Sequence, residues 1–209
     1  MRISLIGPGD IDYHFNELLK MPQNKLASHT LNITKALLPY EIVLLPDRGL
    51  PFEIAKRYKQ MKGKKVIGTV PKQDTTFGIS HLKSYIDSGI FNEIIDTEHW
   101  YKQDAVITLC GDITLVLGYT LGSMEELTFG FYLYKLFKGY KPELNVVKDK
   151  VCKDAIVGQT IPFTVLIYKP FVKGKLSSEI EEYIKKSGGQ IFYIKNPKEL
   201  REKLSELKG

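Results

Sequence analysis

The sequence predicts an α/β protein built on a doubly wound, mostly parallel sheet with helices on both faces. Three observations predict it. Six or seven short apolar runs recur along the 209 residues with helical patterns between them, an alternation that calls for a parallel sheet. The Ile113 to Leu117 run is unbroken rather than alternating, as a strand covered on both faces is. Three of the runs end in small-residue loops, Gly7-Pro8-Gly9-Asp10, Pro46-Asp47-Arg48-Gly49 and Gly118 to Gly122. Such a sheet brings loops of this kind to one edge, beyond the carboxyl ends of its strands.

The elements follow in order. Ile3 to Ile6 and Glu41 to Leu45 read as the first two strands. After the second loop, Pro51 suits the first position of a helix and Gly63 its end. Lys65 to Val70 and Glu93 to Ile95 are the next strands, and Lys102 to Cys110 reads as a helix with Gly111 as terminator. Ile113 to Leu117 is the fifth strand. Behind it Gly118, Thr120, Gly122 and Ser123 carry small side chains, so backbone N–H groups can approach an anion where a helix begins near Ser123. The residues from Leu127 to Phe137 are apolar around nearly the whole helix, which no ordinary surface helix is. One face packs on the sheet and another is expected to meet a second subunit. Thr164 to Tyr168 and Gln190 to Ile194 complete the strands.

Composition narrows the classes. The length suits one α/β domain spanning 1–209. No apolar stretch approaches the ~20 residues of a membrane span, and Ile3 to Ile6 is too short for the apolar region of a signal peptide, so a cytoplasmic protein is expected. Cys110 and Cys152 lack metal-type spacing, and His14, His29, His81 and His99 are scattered. Buried thiols are expected, with no metal and no cofactor. The 30 Lys and Arg against 24 acids give a net +6. This excess is spread along helices and chain ends rather than gathered on one face, which weighs against nucleic acid as a partner.

The chemistry centres on Asp112-Ile-Thr-Leu-Val-Leu-Gly118-Tyr-Thr-Leu-Gly122-Ser123-Met-Glu125-Glu126. Carboxylates in a first helical turn are favoured by the helix dipole, so Glu125 and Glu126 have a structural explanation beside a catalytic one. The segment resembles the signature of the LOG ("Lonely Guy") family, the nucleoside-monophosphate phosphoribohydrolases once misnamed lysine decarboxylases. That family belongs to the Rossmann-like LOG/DprA nucleotide-binding superfamily, and its motif is Pro-Gly-Gly-x-Gly-Thr-x-x-Glu after an apolar strand opening with Asp. Gly118, Tyr119 and Thr120 fall on Pro-Gly-Gly, Gly122 and Ser123 on Gly-Thr, and Glu126 on the motif Glu. Tyr119 and Thr120 depart from the motif, adding side chains where the family's backbone meets a phosphate. Asp47-Arg48-Gly49-Leu50-Pro51 with Gly63 to Pro71 resembles the family's Gly-rich loop, helix and next strand. Lys195 to Leu200 with Leu204 is similar to its terminal strand and helix.

The resemblance implies a Rossmann-like fold, a homodimer, and a nucleotide or related phosphate ligand at a helix N-terminus. The ligand-binding candidates are Gly7, Pro8, Gly9, Asp47, Gly49, Gly118, Tyr119, Thr120, Gly122 and Ser123, and the catalytic candidates are Glu126, Glu125 and Arg48. In the family an Arg on the preceding helix works with the motif Glu at the ribose. Here Gln103 and Asp104 occupy the Arg-Lys pair, and Lys102 is one position away. Arg48 either forks a phosphate or replaces that Arg, or it pairs with Asp47 or Glu53 at the helix start. Two functions follow. One is nucleotide binding without turnover, which the lost Arg and Gly-Gly favour; the other is release of free base from a nucleoside 5′-monophosphate, which the retained Gly-Ser and Glu favour.

Overall fold

The computed structural model describes residues 1–75, 78–137 and 162–208; Cys152 lies outside them. Among the described residues seven strands form one sheet: β1 (Arg2–Ile6), β2 (Glu41–Leu44), β3 (Lys65–Val70), β4 (Glu93–Asp96), β5 (Ile113–Val116), β6 (Thr164–Tyr168) and β7 (Gln190–Ile194). Their order is β4-β3-β2-β1-β5-β6-β7 and every pairing is parallel. The fold is Rossmann-like. Strand order reverses at β1, which pairs with β2 on one side and β5 on the other. In open parallel sheets the crevice beyond that reversal is where ligands sit.

The helices divide between the two faces. Among the described residues they are α1 (Gln23–Leu37), α2 (Leu50–Gln60), the short α3 (Lys83–Ile86), α4 (Trp100–Leu109), α5 (Leu121–Phe137), α6 (Ser178–Lys186) and α7 (Pro197–Lys208). On one face Ile33, Leu37, Ile54, Tyr58 and Leu204 from α1, α2 and α7 pack on Ile3, Leu5, Ile113, Leu115 and Leu166. On the other, Ile107, Leu127, Phe131 and Ile184 from α4, α5 and α6 pack on Ile6, Val116, Val165 and Ile167. Strand residues alternate between the clusters, so β5 sends Ile113 and Leu115 one way and Val116 the other. Each fully buried side chain of this kind contributes roughly 1.5–3 kcal/mol against the entropy of ordering the chain.

Several boundaries differ from expectation. α5 begins at Leu121, two residues before Ser123, because the cap that starts it is Thr120. α4 begins at Trp100, two residues earlier than the apolar pattern suggests, and α2 at Leu50 with Pro51 just inside. Gly63 is demanded by packing rather than by backbone angle. A Cβ there would lie 2.2 Å from the Tyr58 ring, while the left-handed turn falls on Lys62 at φ 57°. Cys110 is only partly buried. Asp112 sits at the edge opposite the loops, where its carboxylate accepts the Arg2 amide at 2.8 Å and ties β5 to β1.

Candidate functional site

The three loops after β1, β2 and β5 meet above the reversal point. The Leu50 amide donates to the Pro8 carbonyl at 3.0 Å. Gly49 has φ +124°, which L side chains rarely adopt, and a Cβ there would lie 2.4 Å from the Pro8 oxygen. A Cβ on Gly118 would lie 2.8 Å from Pro8 Cδ and 2.9 Å from His14 Nε2. Pro8, Gly49 and Gly118 therefore join the loops rather than line the space between them. His14 follows the first loop on a π-helical segment, Asp12–Leu18, and is held by Phe171, whose carbonyl lies 2.9 Å from Nε2.

Beside that junction lies a cavity of about 280 Å³. Gly7 and Gly9 line it from the first loop, Asp47 and Arg48 from the second, and Thr120, Gly122, Ser123 and Glu126 from the third. Leu5, Ile6, Leu45, Pro51 and Ile107 form its apolar wall. Eight of the thirteen residues named from the sequence thus share one space. Pro8, Gly49, Gly118, Tyr119 and Glu125 do not line it. Tyr119 turns its phenol toward Tyr193 and Glu181, and burial followed by the charge of these neighbours raises its pKa. Glu125 is exposed.

The start of α5 is partly closed. Ser123 N–H donates to Thr120 Oγ1 at 3.1 Å, and Thr120 N–H donates to Ser123 Oγ at 2.9 Å. The Ser123 hydroxyl itself donates to the Gly118 carbonyl at 2.8 Å. This reciprocal cap takes two of the amides that the loop composition had offered to an anion. Among the described residues no acceptor meets the amides of Leu121 and Gly122, and around Gly122 an added Cβ would touch nothing within 4 Å. Those two amides, with the positive end of α5, remain for an anion.

Arg48 supplies the cation. Its amide donates to Asp47 Oδ1 at 2.7 Å, but among the described residues its guanidinium forms no ion pair with Asp47, Glu53 or any other acid. The side chain is exposed at the cavity mouth. Lys102 is occupied by Glu98 one turn before it.

Glu126 stands in acidic surroundings. Burial, then Asp104, then Glu125 raise its carboxyl well above the ordinary range. Asp104 is pushed up to about 6, first by burial and then by Glu125. Gln103 cannot act for the family Arg, because its side chain is buried between Thr69 and Thr97, donating to the first at 2.9 Å and accepting from the second at 3.2 Å. Asp104 stands at the family's Arg-Lys pair but was given no role in the sequence reading. Its signal was present: an acid standing where the family has a base, on the helix that packs most heavily on α5.

These shifts have a sign. In the folded state Asp104 and Glu126 hold protons that the unfolded chain releases at ordinary carboxylate pKa values. Stability is therefore fully present below those values and declines as pH rises through 3.8 to about 6, further where Glu126 ionises. Asp104→Asn should flatten that decline and raise stability at pH 8 by about 1 kcal/mol, a figure discounted for the solvent that reaches this side chain. Urea titrations at pH 4.5 and pH 8 check it; an unchanged pH profile would remove Asp104 from the cluster.

No protein-family model matches the sequence, and no curated protein matches it in sequence. Among solved structures, the chain is similar to the molybdenum cofactor binding protein of the phototrophic bacterium Rippkaea orientalis, at 17% identity and TM-score 0.57 over 100% of this chain and 97% of that one. It is also similar to the molybdenum cofactor carrier protein of Chlamydomonas reinhardtii, at 16% identity and TM-score 0.56 over 99% and 97%. A structural-genomics target superposes with TM-score 0.58 at 12% identity over 98% of each chain. At these identities the shared feature is the Rossmann-like fold over its whole length. Among the described residues no helix is long and apolar enough to cross a membrane.

Proposed function

We propose that this chain is a LOG-like protein of the cytoplasm that binds a small phosphorylated ligand, a nucleoside monophosphate or a phosphate ester of similar size, without turning it over efficiently. The observation that carries the reading is the cavity at the strand-order reversal, which is lined both by Gly122, at the partly capped N-terminus of α5, and by Arg48, whose guanidinium has no ion pair among the described residues. A phosphate there would accept from the Leu121 and Gly122 amides and take a forked contact from the guanidinium.

Slow turnover is the expectation that the surroundings of Glu126 support. An oxocarbenium-like centre needs a negative group beside it. Burial, then Asp104 and Glu125, instead favours the neutral form of Glu126, which supplies no charge. The alternative, a phosphoribohydrolase releasing free base, is favoured by Glu126 lining the cavity. The likeness of fold to two molybdenum cofactor proteins adds that cofactor as a candidate ligand.

Calorimetry over nucleoside monophosphates and molybdenum cofactor, with chromatography for free base, tests the assignment. Binding with slow or absent base release is expected, and Glu126→Ala should spare binding while removing any release. Failure of every phosphorylated ligand to bind would end the reading, and rapid release would transfer it to the hydrolase. The outer face of α5 supports a homodimer, since Leu121 is 94% and Tyr132 54% exposed while Leu127 and Phe131 pack inward. Tyr132→Asp should then dissociate the protein in sedimentation; a wild-type monomer at micromolar concentration would refute the dimer.

A further inference from the structure

A second hollow of about 330 Å³ adjoins the first, and the two share Gly9 and Arg48. Gly49 lines it, and Arg48 belongs to the walls of both spaces. Phe52 and Tyr85 form an aromatic wall, with ring centroids 4.9 Å apart and planes at 84°. Asp10, Asp12 and Glu53 face them. Asp10 accepts the Tyr13 amide at 2.9 Å and Asp12 accepts the Asn16 side-chain amide at 3.1 Å. Among the described residues Glu53 has no such partner. Its place in the first turn of α2 suits the helix dipole, but its carboxylate is still an open acceptor beside an aromatic surface.

From this adjoining hollow we propose that the ligand is bipartite, with its phosphate at α5 and a flat heterocycle bearing N–H donors packed against the Tyr85 ring and donating to Glu53. The proposal rests on the phosphate-site reading above and names the ligand's other half. The first space alone is at the small end for a ligand pocket and suits a phosphate with its sugar, whereas the two together reach the usual range. The polarity matches: the α5 end and Arg48 recognise an anion, and the acidic hollow repels one. That arrangement orients an asymmetric ligand and rejects a doubly anionic molecule such as a sugar bisphosphate.

The test compares inorganic phosphate, ribose 5-phosphate, IMP, AMP and GMP by calorimetry on the full chain. GMP and AMP should bind at least about tenfold more tightly than ribose 5-phosphate, the increment of a hydrogen bond to a charged group plus ring contact. Glu53→Gln should remove much of that advantage, and Tyr85→Ala most of it, while ribose 5-phosphate keeps its wild-type affinity. The conservative change at the half-buried Glu53 keeps the test valid should Tyr85→Ala fold poorly. Equal affinities for GMP and ribose 5-phosphate in the wild type, or equal losses for both in the variants, would overturn the proposal. If phosphate and ribose 5-phosphate bind and Gly122→Asp abolishes both, the phosphate site stands even where the ring adds nothing. If none of the probes binds, both readings fall together.

Discussion

Gly122→Asp should abolish phosphate binding, by about a hundredfold or more, while leaving the fold intact. A carboxylate at this position would stand in the first turn of α5, beside the two amides that remain free for an anion. Two negative charges about 4 Å apart at a protein surface repel by several kcal/mol, enough for that loss. The fold has no reason to object. Gly122 is exposed, an added Cβ meets nothing within 4 Å, and an acid near a helix N-terminus is mildly stabilising. Gly122→Ala is the control and should bind nearly as the wild type does. Calorimetry with inorganic phosphate and AMP, beside a thermal melt, separates the effects: retained binding in a folded Asp variant would place the anion elsewhere.

Gly130→Ala should have the largest effect on stability, a loss of about 3 kcal/mol, the upper part of the range for overpacking. In a protein of this size that lowers Tm by roughly 10 °C. The new Cβ would lie 1.7 Å from Thr108 Oγ1 and 3.3 Å from the Ala105 carbonyl oxygen. The Thr108 hydroxyl occupies that position because it lies within 3.2 Å of both the Ala105 and Glu126 carbonyls, bridging α4 to α5. Thr108→Ala removes the obstructing oxygen, so the double variant should recover part of the loss. Simple additivity of the two changes in urea titrations would show that the clash does not set the cost.

What the sequence made legible was local. The apolar runs of β1, β5 and β6, the small residues behind β1, β2 and β5, and the helical periods between them each announce themselves over a few residues. Their convergence follows from parallel strands. Strand order was not legible, because nothing within β1 says that β2 and β5 are its neighbours. The reciprocal cap of Thr120 and Ser123 was hidden for a related reason: hydroxyls that suit a phosphate loop suit a helix cap equally well. Asp104 escaped because its meaning depends on Glu126, 22 residues later on a different helix. The nearness of Glu53 and Tyr85 was not legible because they stand on α2 and α3, apart in sequence. Gly130 reads as a mild helix defect until Thr108 is placed against it.

The pairing of β1 with β5 has a kinetic consequence. Arg2 and Asp112 are hydrogen-bonded across 110 residues of chain, and the cavity takes one wall from residues 5–51 and the other from residues 107–126. Closing so long a loop costs entropy that no local contact refunds in advance. The β1–β2 half can collapse early on neighbouring contacts, yet the proposed phosphate site is incomplete until β5 docks. Ligand capture during refolding should therefore lag behind the appearance of helix by circular dichroism, and the amides of β5 should exchange with deuterium only through opening that also releases the ligand.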